Sequence, residues 1–187
     1  MNTKSESEPR ALTSPAQVLE FWRSAGPRHW FSKDAAFDAE FRARCLSLHE
    51  QAAARKLEAW LDAPESALAL VLLLDQLPRN AFRDDPRSYA TDPLALEYAD
   101  AAIAAGFDRQ VDAQLRFFFY LPFEHSELLA EQERSVALHE AIGFVQYAHE
   151  HRDIIRRFGR FPHRNRVLGR ESTAEERAFL AQVGFGG

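Results

Sequence analysis

PESALALVLLLDQLPRNAFR, residues 64–83, starts with a proline and a glutamate and then runs through eight consecutive apolar residues at positions 67–74. Proline followed by an acid is a helix opening, because proline's missing N–H is not needed in the first turn and the helix dipole favours negative charge there. A helix apolar on nearly every side has no face to give to water, so this one is expected at the centre of the core. Its eight apolar residues fall well short of the ~20 that a bilayer-spanning helix needs.

Outward from this segment, helix punctuation recurs in both directions and strand signals are nearly absent. Ser14, Pro15 and Gln17 form a cap, a first-turn proline and a capping-box acceptor for a helix carrying Val18, Leu19, Phe21 and Trp22. Asp34 caps a second, amphipathic helix whose stripe is Phe37, Phe41, Cys45 and Leu48. Asp92 and Pro93 open a helix that Gly106 ends, and Ser126 is expected to cap a long helix reaching His149. A shorter helix through Ile154, Ile155 and Phe158 stops at Gly159, and Thr173 with Glu176 boxes the start of a terminal one. Both Pro78-Arg79-Asn80 and Pro162-His163-Arg164-Asn165 read as turns presenting a cation beside an amide. Seven or eight helices with short connections predict an all-α fold of antiparallel pairs, in a bundle or a superhelical stack without a consensus repeat. A chain of 187 residues predicts a flexible tail over residues 1–13 and one all-α domain over 14–187.

Composition narrows the partners. A formal net charge of -5 with 27% charged residues disfavours a general polyanion binder, so nucleic acid is not expected and any anion binding is local. Cys45, the single cysteine, rules out an intrachain disulfide or a cysteine-built zinc site; it fits a reducing, cytoplasmic setting. No signal peptide or membrane span is expected, and no cofactor or metal site: H-E-x-x-H, phosphate-cradling, dinucleotide and G-x-S-x-G patterns are all missing.

The charge is unevenly spread. From His151 to Arg170 there are seven arginines and one acid, Asp153. Arginine forks suit phosphate or carboxylate, and Phe158 and Phe161 are placed to hold them. The equal alternative is structural, with these arginines paired to acids elsewhere in the chain. Asp75 lies near the end of the most apolar helix, where both burial and the helix dipole oppose a carboxylate, so a cation is expected beside it: Arg79 or an arginine of the 157–164 turn. His125, flanked by Glu124 and Glu127, is the candidate acid or base. The stretch Gln132, Ser135, His139, Gly143, Gln146 makes a polar stripe at helical spacing.

Five stretches, VLEFW (18–22), LLLDQLPRNAFR (72–83), YLPFEHSE (120–127), QERSVALHE (132–140) and HRDIIRRFGRFPHRNRVLGRESTAEE (151–176), resemble the signatures of the bacterial domain-of-unknown-function 924 family, over residues 16–184. The resemblance implies a tetratricopeptide-like superhelix of stacked helical hairpins and implies no activity. Together these readings place a pocket for a small anionic molecule where Arg79, Asn80, Arg157, Arg160, His163, Arg164 and Asn165 converge, supported by Asp75, Glu124 and Glu127, with His125 available for chemistry. The competing expectation is a scaffold that binds a peptide segment.

Overall fold

The computed structural model of the chain describes residues 9–183. Pro64–Ala81 forms the helix expected from the apolar run, and every residue from Ala67 to Leu74 is fully buried. We number the α-helices in chain order: α1 (Pro15–Ala25), α2 (Pro27–Trp30), α3 (Ala35–Ala53), α4 (Pro64–Ala81), α5 (Asp92–Ala104), α6 (Leu121–Glu124), α7 (Leu129–Glu140), α8 (Gln146–Phe158) and α9 (Ala174–Val183). Short 3₁₀ turns fill several connections, and no strand occurs among the described residues.

Helix α4 is surrounded by α1, α3 and α5, which explains why it needs no polar face. Each leucine buried there contributes about 2 kcal/mol of transfer free energy. Trp22, Trp30, Phe41 and Phe118 close one end of this core, with the Trp30 indole N–H donating to the Trp22 carbonyl at 2.7 Å. Cys45 is fully buried on α3, as its place on the apolar stripe implied, and burial pushes its thiol up to about 12. Among the described residues no helix is long and apolar enough to cross a membrane.

Two expectations are corrected. Helix α4 does not stop before Pro78-Arg79-Asn80 but continues to Ala81. Pro78 cannot donate to the Leu74 carbonyl four residues back; the Thr91 hydroxyl does so instead, at 2.6 Å, and keeps the helix intact. The long helix expected from Ser126 to His149 is two, α7 and α8, broken where Gly143 takes φ 75°. Leu128 occupies the N-cap position of α7, and the Ser126 hydroxyl accepts the Leu128 N–H, at 3.2 Å. Of the expected flexible tail, residues 1–8 lie outside the described residues. Leu12 is buried, its N–H bonded to the Arg44 carbonyl at 2.8 Å.

A second, smaller apolar cluster joins Ile154 and Ile155 of α8 to Phe161, with Phe158 and Phe179 against it. Polar side chains from α4, α6, α7, α8 and the Phe161–Asn165 turn meet between this cluster and the main core.

Candidate functional site

Asp75 is buried on α4 and has four polar contacts. His125 Nδ1 lies 2.7 Å from one carboxylate oxygen and the Gln76 amide donates to the other at 2.7 Å. Arg79 reaches the carboxylate at 3.2 Å and also donates to the Asp75 main-chain carbonyl at 2.7 Å. Burial by itself would raise the Asp75 pKa, but the Arg79 charge together with the contacts from His125 and Gln76 outweighs it and holds the carboxyl below its usual range. Burial, together with the neighbouring Arg79 charge, lowers the His125 pKa, so the imidazole is neutral. A carboxylate only accepts; the proton is therefore on Nδ1 and the lone pair on Nε2. Among the described residues no hydrogen-bond partner reaches Nε2.

Arg79 forms a fork with Asp92 at the start of α5, at 2.8 and 3.0 Å. Arg164 shares that carboxylate at 3.2 Å and donates to the His125 carbonyl at 2.9 Å, tying the 162–164 turn to α5 and to the end of α6. Its guanidinium is clasped between the rings of Tyr89 and Phe161, 4.5 and 4.6 Å away. The Arg164 Nε is buried and has no hydrogen-bond partner among the described residues.

Next to His125, Glu124 is buried with two histidines near its oxygens, His139 Nε2 at 3.7 Å and His151 Nδ1 at 3.5 Å. Burial and the Asp75 charge push the Glu124 carboxyl up to about 8, so it carries a proton at neutral pH. Burial lowers His139 as well, and takes His151 to about 4 and His163 to about 3, with Arg164 adding to the effect on His163. A buried carboxylic acid beside a neutral imidazole with an open Nε2 is a proton donor and a proton acceptor held together. Among the described residues, no group of three or more histidine, cysteine or acidic side chains has the placement to hold a metal ion.

The profile of the family described as "Bacterial protein of unknown function (DUF924)" matches residues 18–184. The chain belongs to the DUF924 family. One solved structure, that of the protein of unknown function ATU0120 from Agrobacterium tumefaciens, is 54% identical and covers 89% of this chain and 96% of its own, with a TM-score of 0.87. Among proteins of curated function none matches.

In this DUF924 chain the arginine run of residues 151–170 is matched by carboxylates. Arg152 and Arg156 pair with Glu133 and Asp153, Arg157 with Glu175, and Arg164 with Asp92. Arg160 forks onto Glu176 at 2.6 and 2.9 Å, Arg166 pairs with Asp84, and Arg170 forks onto Glu127 at 2.7 and 2.9 Å. Of the residues expected to converge, Asp75, Arg79, Glu124, His125, His163 and Arg164 are brought together. The others face elsewhere. The Asn80 amide donates to Asp38 on α3 at 2.7 Å, Asn165 donates to Ser172 and Glu176, and Arg157 and Arg160 are taken up by α9. Glu127 accepts the Phe161 N–H at 2.8 Å and so fastens the turn.

The polar stripe is shorter than its spacing suggested. Gln132, Ser135 and His139 are buried, and the Gln132 amide donates to the Glu124 and Ser126 carbonyls at 2.6 Å each. Gly143 and Gln146 fall past the end of α7 and are exposed. Asp92 was legible only as a helix start. An acid there satisfies the helix dipole in any case, so nothing local marks it as the carboxylate shared by two arginines.

Proposed function

We propose that this DUF924 protein binds a small anionic ligand beside His125 and acts on it by proton transfer. The observation that carries this reading is the buried Asp75 carboxylate seated on His125 Nδ1 at 2.7 Å, which presents Nε2 as the basic nitrogen. Asp75 orients the imidazole in that tautomer, and protonated Glu124 beside it is the group able to return a proton. The anionic character of the ligand is supported by Arg164, whose carboxylate partner is already forked by Arg79 and whose Nε has no acceptor among the described residues. In this reading His125, Glu124, His163 and Arg164 face the ligand, Asp75 and Arg79 position them, and Asn80, Arg157, Arg160, Asn165 and Glu127 are framework.

A thermal-shift screen against inorganic phosphate and small carboxylates tests it. The expected outcome is a rise in Tm with one ligand class in the wild type, by RT ln(1 + [L]/Kd) in free energy, that is lost in Arg164→Lys and in His125→Asn. No shift with any of these anions, or a shift that both variants retain, overturns the reading.

A second reading, a tetratricopeptide-like scaffold that binds a peptide segment, draws support from exposed aromatics. Phe31 and Phe144 are 66% and 71% exposed and both flank Phe117, with ring centroids 5.9 and 6.5 Å away.

A further inference from the structure

Helix α7 has a second polar surface, away from the residues that face His125. Leu138 and Ile142, with Ala137 and Ala141, form the apolar floor of a shallow depression of about 400 Å³, in the lower part of the range of ~300–1,000 Å³ typical of small-molecule sites. Arg109, Arg116 and Arg134 line its edge together with Tyr120 and Asp108.

The charges here are balanced differently from those of the 151–170 run. Arg134 is ion-paired with Asp100. Arg109 and Arg116 have no carboxylate within ion-pair distance among the described residues, and the Arg116 Nε is buried with no hydrogen-bond partner. The acid in the depression, Asp108, is buried and accepts the Tyr120 hydroxyl at 2.7 Å. Burial and the Asp108 charge raise the Tyr120 pKa while Arg116 and Arg109 oppose them, so both guanidiniums are within electrostatic reach of this phenol. Two uncommitted guanidiniums against one covered carboxylate leave a single positive charge to be matched. That favours a monoanion over a dianion, and the planar fork of arginine favours a carboxylate.

We propose that this depression binds an amphiphilic monocarboxylate, its carboxylate held by Arg109 and Arg116 and its apolar chain or ring laid on Leu138 and Ile142. The site is separate from the one around His125 and stands without it. Apart from Arg164, the arginine-rich run is paired with carboxylates of the chain; among the described residues this sparser pair is not.

Amide NMR titration of the full chain with octanoate tests the assignment, with acetate supplying the charge without the chain and octanol the chain without the charge. Octanoate is expected to shift the resonances of Arg109, Arg116, Leu138 and Ile142. Acetate and octanol are each expected to bind at least ~10-fold more weakly, as is octanoate to Arg116→Gln, a loss matching one charged hydrogen-bonding group. Arg109→Gln, at an exposed position that leaves the fold unaltered, provides the same loss if Arg116→Gln fails to fold, and Arg164→Lys leaves octanoate binding unchanged. Octanol binding as tightly as octanoate, retention of binding in both glutamine variants, loss in Arg164→Lys, or no binding of octanoate at all overturns the proposal.

Discussion

Asp75 is a carboxylate where the surrounding sequence argues for a leucine. Its position three residues before Pro78 in an otherwise apolar helix required a cation, and Arg79, one turn along on the same helix face, is that cation. The histidine could not be inferred from spacing, since it is separated from Asp75 by 50 residues. Asp75→Asn removes the charge at nearly constant volume. It is expected to destabilise the protein by about 3 kcal/mol, the scale for leaving a buried partner uncompensated, and to lower the His125 pKa further by removing the charge that favours imidazolium. Chemical denaturation and an NMR pH titration of the His125 ring check both. A loss below ~1 kcal/mol would mean that Asp92 alone holds Arg79.

At the scale of the elements, most starts and stops were legible because capping is a local affair. Ser14 accepts the Gln17 N–H, Asp34 accepts those of Ala36 and Phe37, and Thr173 and Glu176 bond each other's main chain as a capping box should. The failures share a cause: a distant residue replaces what the local chain lacks. Helix α4 passes through Pro78 only because Thr91, beyond the next turn, donates to the orphaned Leu74 carbonyl. Thr91→Val should therefore cost about 1–2 kcal/mol, the price of a buried unsatisfied carbonyl, measured as a fall in the denaturation midpoint without a change in slope. A neutral Thr91→Val would remove that account of the uninterrupted helix. The division of α7 from α8 was hidden for a different reason, because apolar and polar residues keep helical spacing across Gly143 while its left-handed φ of 75° stops the helix.

For the whole molecule, the packing of several titratable groups into one buried region predicts the shape of stability against pH. His125, His139, His151 and His163 all have folded pKa values below 6.5, so they oppose folding as pH falls through 6.5 toward their folded values, about 4 for His151 and about 3 for His163. Glu124 acts in the other direction. Its carboxyl is raised from 4.5 to about 8, so the folded state keeps a proton that the unfolded chain releases, and stability falls as pH rises from 4.5 through 8. Above about pH 6.5 the histidines no longer contribute and Glu124 sets the slope among these groups. Glu124→Gln is expected to flatten the decline between about pH 6.5 and 9, gaining ~2 kcal/mol on the wild type across that interval, as read from urea melts across that range. Parallel wild-type and variant curves would show that Glu124 is ionised in the folded protein.

What the sequence determined by itself is the all-α class, the central place of the helix that carries the apolar run 67–74, most helix ends, and the need for a cation at Asp75. These follow from hydrophobic periodicity and from caps that act within one turn, which a linear reading contains. Only the tertiary structure decided where the arginines go. Their partners lie up to 82 residues away, and Coulomb attraction depends on distance through space, with no trace in sequence spacing. Packing therefore paired most of the basic stretch with carboxylates, joined Asp75 to His125, and left Arg109 and Arg116, two arginines that composition never singled out, without a carboxylate within ion-pair distance among the described residues.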